Sequence, residues 1–146
     1  MSRELSVAIN RLRDYQARRM ALNTIPEQIE SLEMQYGAIR SAHKDGTPVK
    51  GGSCTREDML IDNIMKRQVL ERNLDIAKAE IEITEKALSV LKEDERKILD
   101  LFYMNRQRGY IDRLCTELFV EKTKLYDMKN EALRKFALAT CGTVDL

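Results

Sequence analysis

Apolar side chains recur along most of this chain at alternating steps of three and four, the spacing that lines one face of an α-helix. Leu5, Ala8, Leu12, Tyr15 and Leu22 form a first run; Ile29, Leu32, Tyr36 and Ile39 form a second. Ile25 and Pro26 stand between them. Proline suits the first turn of a helix but not its interior, so the pattern predicts either two helices or one kinked helix over about residues 4–41. Ser41 to Ser53, SAHKDGTPVKGGS, combines Asp-Gly, Thr-Pro and Gly-Gly with almost no apolar content. It reads as a flexible loop, 41–53, long enough for the chain to reverse. Thr55 then supplies a helix N-cap, with Asp58 three residues on as a capping-box partner.

A long helix is expected next. Leu70, Leu74, Ala77, Ile81, Thr84, Leu88 and Leu91 alternate steps of four and three, a coiled-coil seam of about three heptads. Met59, Leu60, Ile61, Ile64, Met65 and Val69 make its start apolar over a wider arc. Such a seam needs cover. Either the N-terminal helices fold back across the glycine loop, or a second subunit meets Leu70, Leu74, Ile81, Leu88 and Leu91. Near Lys92 two readings stay open. Glu93-Asp94-Glu95 suits the first turn of a new helix, because carboxylates favour the positive end of the helix dipole. Yet no Pro or Gly breaks the chain between Thr55 and Asn105, which fits one bent helix equally.

Three shorter helical stretches follow. Ile98, Leu101 and Phe102 form the buried stripe of the first, which ends at Asn105-Arg106-Gln107-Arg108-Gly109. The second runs from about Tyr110 to Leu118, with Ile111, Leu114, Cys115 and Leu118 inward. After the turn Phe119-Val120-Glu121, the third runs from about Lys122 to Thr140, with Leu125, Met128, Ala132, Leu133 and Phe136 inward. That layout predicts a helix-turn-helix. No stretch alternates cleanly with period two, so the expected fold is all-α. Residues 1–91 are read as a long-helix hairpin or coiled coil that dimerises, and residues 92–146 as a three-helix DNA-binding module.

Composition adds limits. A chain of 146 residues with 43% hydrophobic and 34% charged side chains has room for a small domain plus an extended helical element. The net charge of +1 makes no global case for nucleic acid, but its distribution does. Residues 55–91 hold 6 basic and 8 acidic side chains, whereas residues 103–136 hold 8 basic and 5 acidic. The local excess is modest and suggests help from a dimer or partner. Cys54, Cys115 and Cys141 have no pairing or metal spacing, which fits free thiols in a reducing cytosol. His43 is the only histidine and lies in the loop. With no glycine-rich phosphate loop, no nucleophile–base pair and no metal-ligand cluster, neither an enzyme nor a cofactor is expected. No apolar run approaches a membrane span, so the expected location is the cytoplasm.

The last third also carries a resemblance. Glu95-Arg96-x-Ile98-Leu99, Tyr103, Leu114-x-x-x-Leu118-x-Val120 and Tyr126 followed by Asn130-Glu131-Ala132-Leu133-Arg134-Lys135-Phe136 resemble region 4 of sigma-70-type transcription factors. In layout the whole chain is similar to phage-encoded late-gene activators of the ArpU/RinA type, with specific residues only in about its last third. The resemblance implies a recognition helix entering the major groove by its amino end, with Lys122, Thr123, Lys124, Tyr126 and Asp127 facing DNA. Arg106, Arg108, Arg113 and Lys129 are then phosphate contacts, which position without specifying. Phe119 stands where such relatives often carry glycine. A bulky residue is seldom found at positive φ, so either the turn takes another conformation or Phe119 points outward to a partner.

These readings together suggest a phage or prophage regulator that binds promoter or operator DNA, activates late genes and acts as a dimer. Two other functions fit the same residues. One is a factor that works mainly by contacting RNA polymerase. The other is a structural, adaptor or DNA-packaging protein whose helix-turn-helix-like end does not read sequence.

Overall fold

The computed structural model describes residues 2–42 and 55–144. His43, Cys54 and nearly all of the expected 41–53 loop lie outside these. Among the described residues there is no strand, and five α-helices follow one another. They are α1 (Arg3–Ser41), α2 (Arg56–Ser89), α3 (Glu93–Leu99), α4 (Tyr110–Leu118) and α5 (Lys122–Cys141). A π-helical turn, Asp100–Met104, continues directly from α3. Among the described residues no helix is long and apolar enough to cross a membrane.

The two N-terminal apolar runs belong to one helix. α1 continues through Pro26, although that residue offers no N–H to the carbonyl of Leu22. At Lys92 the chain does break, giving two helices. Ser89 turns its hydroxyl onto the carbonyl of Lys86 at 2.6 Å, and Lys92 is extended at φ −69°, ψ 158°. The Glu95 carboxylate then accepts the Lys92 N–H at 3.2 Å. This is the returning half of a capping box; lysine has no acceptor to supply the other half. Three carboxylates in the first turn, Glu93, Asp94 and Glu95, complement the helix dipole, so the break needs neither glycine nor proline.

By their contacts the residues divide into two compact units, Arg19–Lys78 and a second made of Met1–Arg18 with Ala79–Leu146. The division falls elsewhere than the 91/92 join read from the sequence, and α1 and α2 each run through both units.

In the unit Arg19–Lys78, α1 and α2 are antiparallel. Arg56 donates to the carbonyls of Ile39 and Arg40 at 3.2 and 3.0 Å, satisfying acceptors that the end of α1 leaves free. Thr55 and Asp58 form a complete capping box, with bonds of 3.2 and 3.1 Å. Further along, buried Asn63 donates to the carbonyl of Leu32 at 2.8 Å and accepts from Arg67 at 2.9 Å. The Arg67 guanidinium lies 5.0 Å from the Tyr36 ring centre. A buried amide satisfied on both sides fixes the register of the two helices, because a slip would leave it unpaired.

The other unit has two apolar cores. One gathers Ala8, Ile9 and Leu12 of α1, Ala87 near the end of α2, Leu91, Leu99, and Ala132, Leu133, Phe136 and Ala137 of α5. The other holds Ile98, Leu101, Phe102, Leu114 and Leu125, with Ile111, Cys115, Leu118 and Met128 against it. The beginning of α1 also meets α2 through polar contacts. Arg11 bridges Glu80 at 2.8 Å, and the Tyr15 hydroxyl donates to Glu85 at 2.7 Å. Ile81, Leu88 and Leu91, three of the five positions read as a subunit seam, are thus buried or packed within this unit. Leu70 and Leu74 are half-buried in the hairpin.

The first core makes a prediction. Leu12 is fully buried beside residues of α5. Leu12→Ala is expected to cost about 2–5 kcal/mol of unfolding free energy, the range for large-to-small core changes. Urea titration followed by tyrosine fluorescence measures it. A change under about 0.5 kcal/mol, as for an exposed position, would contradict the placement of α1 in this core.

Candidate nucleic-acid interface

The smaller core holds α3, the π turn, α4 and the first half of α5 around Phe102. Asn105 closes the π turn with its N–H on the Asp100 carbonyl at 2.7 Å and its side-chain amide on the Asp100 carboxylate at 2.6 Å. Leu99 reaches the first core, while Ile98, Leu101 and Phe102 fill the second. Gly109, at φ 74°, then starts α4, a left-handed conformation that glycine adopts freely.

α4 ends at Phe119, which takes φ 56° and ψ 44°, while Val120 donates to the Cys115 carbonyl at 3.2 Å. Among the described residues, Phe119 is the only non-glycine residue with positive φ. The turn therefore keeps the left-handed conformation that glycine would serve, and the phenyl ring points outward, 94% exposed. Glu121, extended at φ −81° and ψ 162°, starts α5, and its carbonyl accepts the Leu125 N–H at 2.9 Å.

Aromatic rings join the amino ends of α4 and α5. Tyr110 and Tyr126 both stand edge-on to Phe102, with ring centres 5.1 and 5.8 Å away. Arg106 lies 5.0 Å from the Tyr110 ring centre. Lys129 lies 5.7 Å from that of Phe102 and 5.6 Å from that of Tyr126. Burial pushes the Lys129 ammonium below its ordinary value, and no carboxylate among the described residues offsets that cost.

The nine residues singled out for DNA separate into groups. Arg106, Tyr126 and Lys129 meet at the aromatic cluster, and Lys122 belongs to the same side of α5, because 122, 126 and 129 follow helical spacing. Thr123 is exposed in the first turn of α5. Lys124 and Asp127 line a different groove of about 350 Å³ with Asp94, Glu95, Glu131 and Lys135. Arg108 is exposed in the α3–α4 connection. Arg113 is engaged by Glu117 at 3.1 Å and by Gln107 at 3.1 Å.

Ion pairing sorts the cations further. Lys97 pairs with Glu117, Lys135 with Glu95 at 3.1 Å, and Arg134 with Glu131 at 3.8 Å. Arg106, Arg108, Lys122, Lys124 and Lys129 have no carboxylate within 4.0 Å among the described residues. Two residues escaped sequence reasoning as parts of the site. Asn130, exposed, lies on the ridge of α5 with Thr123 and Asp127, a four–three spacing that was visible in the sequence. Tyr110 holds Arg106, and the i, i+4 spacing of that pair was visible as well. The seating of Lys129 on Phe102 had no local signal.

No family model matches the chain, and no curated protein or solved structure matches it.

Two expectations follow. A left-handed conformation costs an L-residue about 1–2 kcal/mol, which glycine largely avoids. Phe119→Gly is therefore expected to raise unfolding free energy by about 1 kcal/mol, read from denaturant midpoints; a lowered midpoint would mean that the ring holds the turn. Glu117 concerns pH. Its carboxyl is held below the ordinary carboxylate range by hydrogen bonds from Lys97 and then Arg113. A depressed folded value means that its contribution is full above the unfolded value and is lost as pH falls through the folded one. Glu117→Gln is expected to flatten the acid limb of a stability–pH curve, and an unaltered limb would show the pairs to be idle.

Proposed function

We propose that the chain is a DNA-binding transcriptional regulator of phage or prophage origin that presents the amino-terminal turns of α5 to the major groove, with α4 and the α3–α4 connection against the sugar-phosphate backbone. The observation that carries this reading is the set of five cations, Arg106, Arg108, Lys122, Lys124 and Lys129, left without carboxylate partners around these helix ends. Unpaired cations of this kind are available to replace counterions condensed on phosphate, the main source of affinity for DNA. The resemblance of residues 95–136 to region 4 of sigma factors supports the same orientation.

In this reading the exposed ridge Thr123, Asp127 and Asn130 faces base edges. An asparagine pairs with adenine N6 and N7, and an aspartate accepts from cytosine N4. Asp127 disfavours a phosphate beside it and so narrows the register in which α5 can lie. Arg106 and Lys129 are pre-oriented by Tyr110, Phe102 and Tyr126, which reduces the side-chain entropy lost on binding. Arg113 is held by Glu117 and contributes to phosphate binding only if that pair opens.

One feature favours a second reading in which RNA polymerase is the main partner. The Phe119 ring is 94% exposed between Glu117 and Glu121, a combination that suits a protein surface better than a phosphate. Phe119→Gly separates the two readings: it leaves duplex affinity intact in both, and abolishes polymerase capture only in the second.

Selection of bound sequences from genomic fragments supplies the duplex for the main test. Binding is then measured across salt for the wild type and for Lys122→Ala, Lys124→Ala. Losing two phosphate contacts is expected to lower the steepness of log affinity against log salt by about 2 and to weaken binding about 10- to 100-fold at moderate salt. Unchanged affinity and slope would sink the assignment of α5.

A further inference from the structure

The unit Arg19–Lys78 has far less buried apolar surface than two long helices supply. Among its described residues only Asn63 and Ala77 are buried, and no large apolar side chain is. The side of α2 turned to α1 carries Asn63, Arg67, Leu70, Leu74 and Ala77 at four–three spacing. A second apolar stripe, Ile61, Met65, Val69 and Ile76, runs along an adjoining face at steps of four, four and seven. These residues are 55%, 59%, 47% and 53% exposed. A helix apolar on two sides is built to be covered on both.

We propose that this stripe is the contact surface for a second copy of the chain, so that two α1–α2 hairpins close into a four-helix bundle. Three observations point to a copy. The first is self-complementarity. Met65 and Val69 are ridge residues of the stripe, and with Leu70 of α2 and Leu32 of α1 they also wall a groove of about 560 Å³. Ridge and groove thus belong to one patch, the requirement of a two-fold interface in which each partner offers the same surface. The second is area. The four stripe residues expose on the order of 400 Å², already the size of the largest apolar patch on a typical monomer. The groove walls and polar rim extend this face toward the about 800 Å² per partner that a specific dimer buries.

The third is charge. Lys66, on the groove rim, is paired with Asp62 at 2.8 Å. At this pair the rim is neutral, so a copy meets no repulsion there; Arg72, exposed at the position skipped between Val69 and Ile76, has to lie off the two-fold axis. The proposal differs from a dimer seam at Leu70–Leu91, because Ile81, Leu88 and Leu91 are already used within the chain. It is independent of the DNA reading, since it concerns the protein alone.

Sedimentation equilibrium of the full chain without DNA tests it. The wild type is expected to be a dimer. Met65→Glu with Val69→Glu introduces four charges into the two-fold interface and is expected to raise the dissociation constant about 100-fold or more. Val90→Glu, at a 71% exposed position off the stripe, is expected to leave the dimer unchanged. A second variant guards against loss of the hairpin in the double mutant. Val69→Cys, with Cys54, Cys115 and Cys141 replaced by serine, is expected to join two copies through a short bis-maleimide. A wild type that is monomeric at all concentrations overturns the proposal. So does a dimer that survives both glutamates and shows no cross-link through position 69.

Discussion

The arrangement of residues 79–144 depends on one helix serving two cores at once. The first half of α5 places Leu125 and Met128 against Phe102, Leu114 and Ile98. Its second half places Ala132, Leu133, Phe136 and Ala137 against the start of α1, the end of α2 and Leu99. A helix is stiff over this length, so fixing one half aims the other. The first turn of α5, where Lys122, Thr123 and Lys124 stand, is therefore oriented by contacts several turns away. On the opposite side, Leu99 at the end of α3 and Phe102 in the π turn, three residues apart, belong to different cores.

The same packing decides which charges of this segment stay unpaired. A net excess of three positive charges over residues 103–136 is small. Its effect depends on which cations are already neutralised within the protein. Lys97, Lys135 and Arg134 are bridged by carboxylates of their own surroundings, while Lys129 is held over two rings at a cost in hydration. A partly desolvated cation without a counterion gains more from an arriving phosphate than one already paired. In the DNA-binding role proposed above, specific placement takes over part of what bulk charge does in strongly basic proteins.

What could be read from the sequence was local. Thr55 and Asp58 announced their capping box, and the offsets of Leu114, Leu118, Leu125 and Met128 announced the small core, because helical spacing forces those side chains together. The carboxylates Glu93, Asp94 and Glu95 pointed to a helix start at Lys92, and the absence of Pro and Gly pointed the other way; the capping bond from Glu95 shows which signal prevails. Pro26 left two helices or one kinked helix open, and α1 runs through it as one. The use of Ile81, Leu88 and Leu91 was not legible. A seam looks the same whether the covering helix comes from the same chain or another, and nothing near Ala8, Ile9 or Leu12 marks α5 as their neighbour. Phe119 was legible as an anomaly, and its outward ring answers one of the two alternatives that the sequence left open.

The core that Leu12 shares with the second half of α5 also orders events during synthesis. Ala8, Ile9 and Leu12 of α1 precede α5 in the chain, and the core they enter with Ala87, Leu91 and Leu99 is complete only once α5 has been made. For that interval their apolar face is only partly covered. Joining segments so distant in sequence is slow compared with closing a local helix pair. A chain built in this way acquires a firmly oriented α5 only after translation has passed that helix, so partly made chains do not present the finished surface.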